Sequence, residues 1–278
     1  MSKANLQYVC GNCQNILRES DFDIDVSASN ESCNFCGVLV SHTIQKRFAG
    51  VTKHPSVVFK KASSIPKLTL DIPQIDEKLH FLTLNDKICI RGIHTQNLVE
   101  RLCVRAQLPT RYAGLNSQVL LVDGANSSDL YLCVDFAQQY GLNVNKILDG
   151  VVSSRAFTLY QLANTIIKEL PHVIKHHNAK LVVVTNLLYY FTNNLHLDSS
   201  EMKSILKEII KAIEKIQDCL VVISLGFPTQ YDDMFTELFT KTIDIQQRYG
   251  ALSVHIDHNG RQSSLFLKSE ELGIVPQH

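Results

Sequence analysis

The chain has 278 residues, 45% of them apolar, with 27 basic and 27 acidic side chains and no net charge. That length and apolar content suffice for one sizeable packed domain with a small appendage, and the balanced charge excludes a whole-molecule electrostatic pull towards nucleic acid. No run approaches the roughly 18 consecutive apolar residues of a membrane span, and the polar opening Met1 to Gln7 lacks a signal peptide's apolar stretch; a cytoplasmic protein with no membrane partner is expected, with association with the nucleoid as a further option.

The eight cysteines fall into two groups. Cys10, Cys13, Cys33 and Cys36 form two CxxC pairs with 19 residues between them. This is the spacing of a structural zinc site, in which each pair wraps one side of a tetrahedral ion and the intervening hairpin closes the other. Disulfides are the alternative; a reducing compartment disfavours them, and bridges within each CxxC would organise little. Residues 1–41 are therefore expected to be a four-cysteine zinc-ribbon-like module. Cys89, Cys103, Cys133 and Cys219 lie singly in apolar segments and read as small buried hydrophobes.

The module's central loop carries Glu19, Asp21, Asp23, Asp25 and Glu31 against Arg18. That face repels phosphate, which favours docking or structural support over DNA reading by the module itself. The stretch 42–68 has the opposite sign, with Lys46, Arg47, Lys53, Lys60, Lys61 and Lys67 and no acid. It reads as a basic linker in which Lys46, Arg47, Lys60 and Lys61 are the candidate phosphate contacts, against the plainer reading of a solvated connector.

From about residue 85 the pattern is α/β. Strands are expected at Ile88–Ile90, Val119–Asp123, Val151–Val152, Leu181–Val184 and Cys219–Ser224, and helices at Asn97–Leu108 and Leu130–Tyr140. Leu159, Leu162, Ala163, Ile166, Ile167 and Leu170 recur at helical spacing until Pro171 interrupts them. Asp198 and Glu201 resemble a capping box ahead of a helix whose apolar face runs from Met202 to Ile216. Ala251–Asp257 and Ser264–Lys268 flank an Asn259-Gly260 pair suited to a tight hairpin turn. Such alternation implies a largely parallel sheet covered by helices, with an antiparallel C-terminal edge.

The run Gln107-Leu-Pro109, Gly114-Leu-Asn116, Val119 to Asn126, Gly141-Leu-Asn143, Arg155-Ala-Phe157 and Lys180 to Val184 resembles archaeal RadA and the eukaryotic strand-exchange recombinases, in order and at similar spacing, over roughly residues 65–190. The resemblance implies a RecA-like ATPase core at 69–278, of a family whose members assemble on DNA and bind ATP between neighbours. A phosphate loop GxxxxGKT works through backbone amides that cradle phosphates, a lysine that offsets their charge and a hydroxyl that holds magnesium.

Transferring that pattern residue by residue yields a series of losses. Gly92 to Asn97 occupies the place of the phosphate loop; the loop lysine falls on Thr95 and the magnesium-binding hydroxyl residue on Gln96. The water-orienting acid falls on Ala125, and the carboxylate closing the central strand falls on Thr185. Phosphoryl transfer rests on positioning and charge stabilisation, so these replacements imply a pseudo-ATPase that does not use ATP as a cofactor. The Gly92 turn still offers amides to a phosphate, with Arg91 as a nearby cation; His94 reads as a surface residue. Arg101, Arg105 and Arg111 read as a solvated basic face. The segments expected to bind DNA, Tyr189–Ser200 and Leu225–Lys241, are poor in cations, the first basic residue of the second being Lys241.

In the linker, Phe59-Lys-Lys-Ala62 matches the family's FxxA element, through which one protomer docks on the next; Phe59 could equally cap the domain's own core. The expectation is a non-catalytic RadA-like accessory or mediator protein in recombination and repair. It carries a structural zinc, takes a RadA-type recombinase or another repair protein as partner, and contacts DNA weakly at most. The alternatives are a zinc-containing interaction scaffold outside DNA metabolism and an atypical ATP-binding protein.

Overall fold

The structure is a computed structural model that describes residues 5–10, 16–17, 44–49, 66–193, 198–235, 237–248 and 251–273, the first three segments as backbone only. The chain divides into two units, Met1–Lys60 and Lys61–His278.

In the first unit, strand β1 (Asn5–Cys10) pairs antiparallel with β2 (Ile16–Leu17) and β3 (Ile44–Ala49), in the order β2-β1-β3. Cys10 ends β1; Cys13, Cys33 and Cys36 lie outside the described residues. The stretch expected as a linker thus contains a strand: Lys46 and Arg47 stand on β3 in register with Tyr8 and Gln7. Phe59, Lys60, Lys61 and Ala62 lie outside the described residues.

The second unit opens with β4 (Lys67–Leu68), α1 (Pro73–Leu79) and β5 (Leu82–Thr83), with β4 and β5 paired. The main elements follow: β6 (Lys87–Gly92), α2 (Thr95–Ala106), β7 (Val119–Asp123), α3 (Leu130–Gln139), α4 (Val144–Asp149) and β8 (Val151–Arg155). Next come α5 (Leu159–Asn164), α6 (Leu170–His177), β9 (Leu181–Thr185), α7 (Tyr189–Asn193), α8 (Ser199–Glu214) and β10 (Leu220–Leu225). Strands β11 (Lys241–Arg248), β12 (Ala251–His258) and β13 (Arg261–Leu267) complete the sheet.

Eight strands form one sheet in the order β13-β12-β11-β6-β10-β9-β7-β8. Every pair from β11 to β8 is parallel, and β11-β12-β13 is an antiparallel edge. This is a RecA-like α/β architecture. Strands β7, β9 and β10 are buried along their whole length, because helices cover both faces. The alternation of side chains splits them between two cores: Leu121, Val183 and Val222 pack with α1 to α4, and Val122, Val184 and Ile223 with α5, α6 and α8. Each such side chain stabilises the fold by about 1.5–3 kcal/mol through burial.

Several elements differ from the expectation. Pro171 does not end its helix: α5 passes through a π turn at Thr165–Glu169, the amide of Leu170 reaches back to Thr165, and Pro171 sits in the first turn of α6, where its missing N–H leaves no bond unmade. Asp198 caps α8 by accepting from the Ser200 amide, while Glu201 accepts from the Tyr160 hydroxyl at 2.7 Å. Asn259 and Gly260 take φ of 52° and 80° and close the β12–β13 hairpin as expected. Strand β11 had no counterpart in the sequence reading, although Lys241, Ile243 and Ile245 alternate inward along it. Among the described residues no helix is long and apolar enough to cross a membrane.

Candidate functional site

Parallel α/β sheets place their sites beyond the carboxyl ends of the strands. Here those ends are joined by a connected set of hydrogen bonds. Asp123, the last residue of β7, is 1% exposed. Its carboxylate accepts from the amides of Ala125 at 3.3 Å, Ser127 at 3.1 Å and Ser128 at 2.9 Å. The Thr185 hydroxyl, at the end of β9, donates to the same carboxylate at 3.2 Å and lies 3.3 Å from the Ser128 hydroxyl. Burial alone would raise the Asp123 pKa, but these donors outweigh it and hold it below the ordinary carboxylate value. Gly124 is required beside it, since a Cβ there would collide with the Thr185 carbonyl.

Gln96, in the first turn of α2, donates its amide to the Ser127 carbonyl. Asn186 donates to the Ser127 hydroxyl at 2.9 Å, and its own amide is held by Ser224 at 2.9 Å. Thr95 starts α2 and is buried. The expected positions Gln96, Ala125 and Thr185 therefore do converge, with Thr95 adjoining through the chain. Arg155, half exposed, stands 4.0 Å from the Asp123 carboxylate. Ser127, Ser128 and Asn186 were not anticipated; a cluster of small polar residues after a buried strand was the available signal.

The connection from β6 to α2 is shorter than a phosphate loop. With Thr95 and Gln96 in the lysine and hydroxyl places, the eight-residue motif falls on 89–96, yet Cys89 to Gly92 continue β6 and pair with β10 and β11. Only Ile93 and His94 intervene before α2. The Gly92 amide is bonded to the Gly226 carbonyl at 3.4 Å and the Ile93 amide to that of Ile245 at 3.0 Å, which corrects the expectation that this turn offers them to a phosphate. Gly92, at φ 92°, is obligatory: a Cβ would strike the Ile245 carbonyl. Arg91, expected as a nearby cation, pairs with Asp232 at 3.0 Å.

Comparison with known proteins agrees with this architecture. The Rad51 family model matches residues 90–226. Meiotic recombination protein DMC1 homolog A of Oryza sativa subsp. japonica is 28% identical over 94 residues, covering 34% of this chain and 27% of the relative. DMC1 homolog B of the same organism is 26% identical over 138 residues, covering 47% and 39%. Over residues 90–226 the core is thus similar to the RecA/Rad51-type recombinases, in keeping with its RecA-like fold. The chain spans well under half the length of the curated relatives it matches.

In this RecA-like core parts of the segments expected to meet DNA are packed or self-bonded, whereas Tyr189 and Phe227 are exposed. After β9, Asn193 donates to the Tyr189 carbonyl within α7; residues 194–197 lie outside the described residues. After β10, Tyr231 and Phe235 are 0% and 1% exposed, Tyr231 meets Phe191 edge-on with ring centroids 5.8 Å apart, and Asp232 binds both Thr229 and Arg91. Lys241 is a buried partner of Asp86 at 2.6 Å rather than a surface cation.

The reading of Arg101 and Arg105 as a solvated face is overturned. Both are buried: Arg101 lies over the Phe136 ring and donates to the Asp71 carbonyl, and Arg105 bonds Thr69 and the Tyr112 carbonyl. They tie residues 69–71 and 112 onto α2. Arg111 lies over the Tyr112 ring. The four single cysteines are buried and free, as expected; burial pushes the Cys89 thiol up to about 11. Glu100 was not anticipated. It is 0% exposed on α2, and burial first, then Asp129 and Asp123, raise its pKa to about 7.

Proposed function

We propose that this chain is a non-catalytic RecA/Rad51-type paralogue that acts as an accessory or mediator protein in homologous recombination and repair by binding an active recombinase. The observation that carries the reading is the bonded cluster of Asp123, Ser127, Ser128, Thr185, Asn186 and Gln96, which stands where the resemblance calls for a lysine, a magnesium-binding hydroxyl and two acids. Its side chains are neutral except Asp123, whose oxygens are already occupied by donors. With no lysine and no vacant carboxylate in the cluster, and with Arg155 set against Asp123, it lacks the charge stabilisation on which phosphoryl transfer depends. ATP is accordingly not a cofactor in this reading, and the protein is not an enzyme.

Structural zinc held by Cys10, Cys13, Cys33 and Cys36 forms part of the proposal, on the spacing of the cysteines. So do docking through Phe59 and Ala62, and weak DNA contact through Lys46, Arg47, Lys60 and Lys61, in a cytoplasmic protein. The test is binding of the purified full chain to a purified Rad51-type recombinase, together with recovery of partners from native extract. Saturable binding that Phe59→Ala or a core surface change weakens supports the mediator. Recovery solely of proteins unrelated to DNA, with no binding to the recombinase, removes it in favour of a scaffold outside DNA metabolism.

A further inference from the structure

Glu100 projects from α2 into the seam with α3 and is completely buried. One carboxyl oxygen accepts from the Cys133 thiol of α3 at 3.0 Å; the other has no hydrogen-bond partner. The groups that act on it are Cys133 from α3, Asp129 that caps α3, Asp123 from the end of β7, and Cys103 from α2 itself, and none is a cation. An ionised carboxylate there would be a buried charge with a single weak donor, whereas a neutral carboxyl leaves one polar oxygen unpaired, a far smaller penalty.

We propose that Glu100 is a proton-operated latch on the α2–α3 seam: the closed seam must hold a proton that the opened seam releases, so rising pH weakens it. The seam bears on the bonded cluster from two sides, because α2 begins with Thr95 and Gln96, and α3 follows the turn that carries Ser127 and Ser128. Opening it would loosen the cluster. The sign follows from a folded-state pKa of about 7 against an ordinary 4.5. The latch is fully closed below the lower value, weakens by up to about tenfold in its opening constant per pH unit between the two, and levels off above the upper one.

The test uses the full chain. Carboxyl carbon chemical shifts of Glu100 are followed through a pH titration, and Cys133 alkylation is mapped by peptide mass from pH 5 to 8 in wild type and Glu100→Gln; the ratio between the two proteins cancels the intrinsic pH dependence of the thiol. A Glu100 midpoint near 7 and a wild-type to variant ratio that climbs at least tenfold before levelling off are expected. A midpoint in the ordinary glutamate range, or a ratio that stays flat, overturns the latch; the titration needs no variant, so a poorly folded Glu100→Gln protein leaves it decided.

Discussion

The hydroxyl of Thr185 donates to the carboxylate of Asp123 at 3.2 Å, joining the ends of two neighbouring parallel strands. Loss of that hydroxyl in Thr185→Val leaves the buried carboxylate with one donor fewer and should lower stability by about 1–2 kcal/mol. Denaturant unfolding checks this, and an unchanged midpoint would show that the bond contributes nothing.

Asp123 also fixes a pH dependence. Its folded-state pKa lies below the ordinary 3.8, so its contribution to stability is present above that value and is lost as pH falls through the folded-state value. Asp123→Asn should therefore be less stable than wild type at neutral pH and show a flatter acid limb, measured as thermal midpoint against pH. Parallel curves for the two proteins would contradict the assignment.

Arg105 holds Thr69 and Tyr112 from a side chain that is 8% exposed. Arg105→Met keeps much of the packing but strands the Thr69 and Tyr112 carbonyls, at a cost of roughly 3 kcal/mol. The drop in denaturant midpoint should come without a change in slope.

Arg91 and Asp232 are partly exposed, at 23% and 20% for their side chains, so their pair should be worth only about 1 kcal/mol in a double-mutant cycle. Its larger effect should be local. Arg91→Ala is expected to speed proteolytic cleavage between Gly226 and Asp232 while leaving cleavage elsewhere unchanged.

For the N-terminal module, metal analysis of the purified chain should find one zinc per chain, and Cys33→Ser should lose it. Zinc-free protein prepared without chelator would refute the four-thiolate site.

Strands β7, β9 and β10 were readable because a strand buried on both faces is a continuous apolar run, and its neighbours in sequence are turn-forming residues. Thr95, Gln96, Ala125 and Thr185 were assigned differently, since a motif fixes places along the chain. What it could not supply was long-range pairing. Cys89 to Gly92 became strand rather than loop because β10 and β11, more than 100 residues later, bond to them. Arg101 and Arg105 looked solvated because the polar face of α2 is covered by partners distant in sequence, α3 and the 69–71 segment. Glu100 escaped notice for the same reason: one acid among the polar residues Gln96, Asn97, Arg101 and Arg105 of α2 carries no signal until α3 covers it.

The most direct measurement is magnesium-dependent ATP hydrolysis by the pure full chain, alongside calorimetric titration with ATP, with and without magnesium. The expected result is phosphate release indistinguishable from a protein-free blank and no heat of binding in either titration. Turnover above that blank, abolished by a single substitution at Gln96 or Asp123, would contradict the loss of the nucleotide machinery and with it the non-catalytic role.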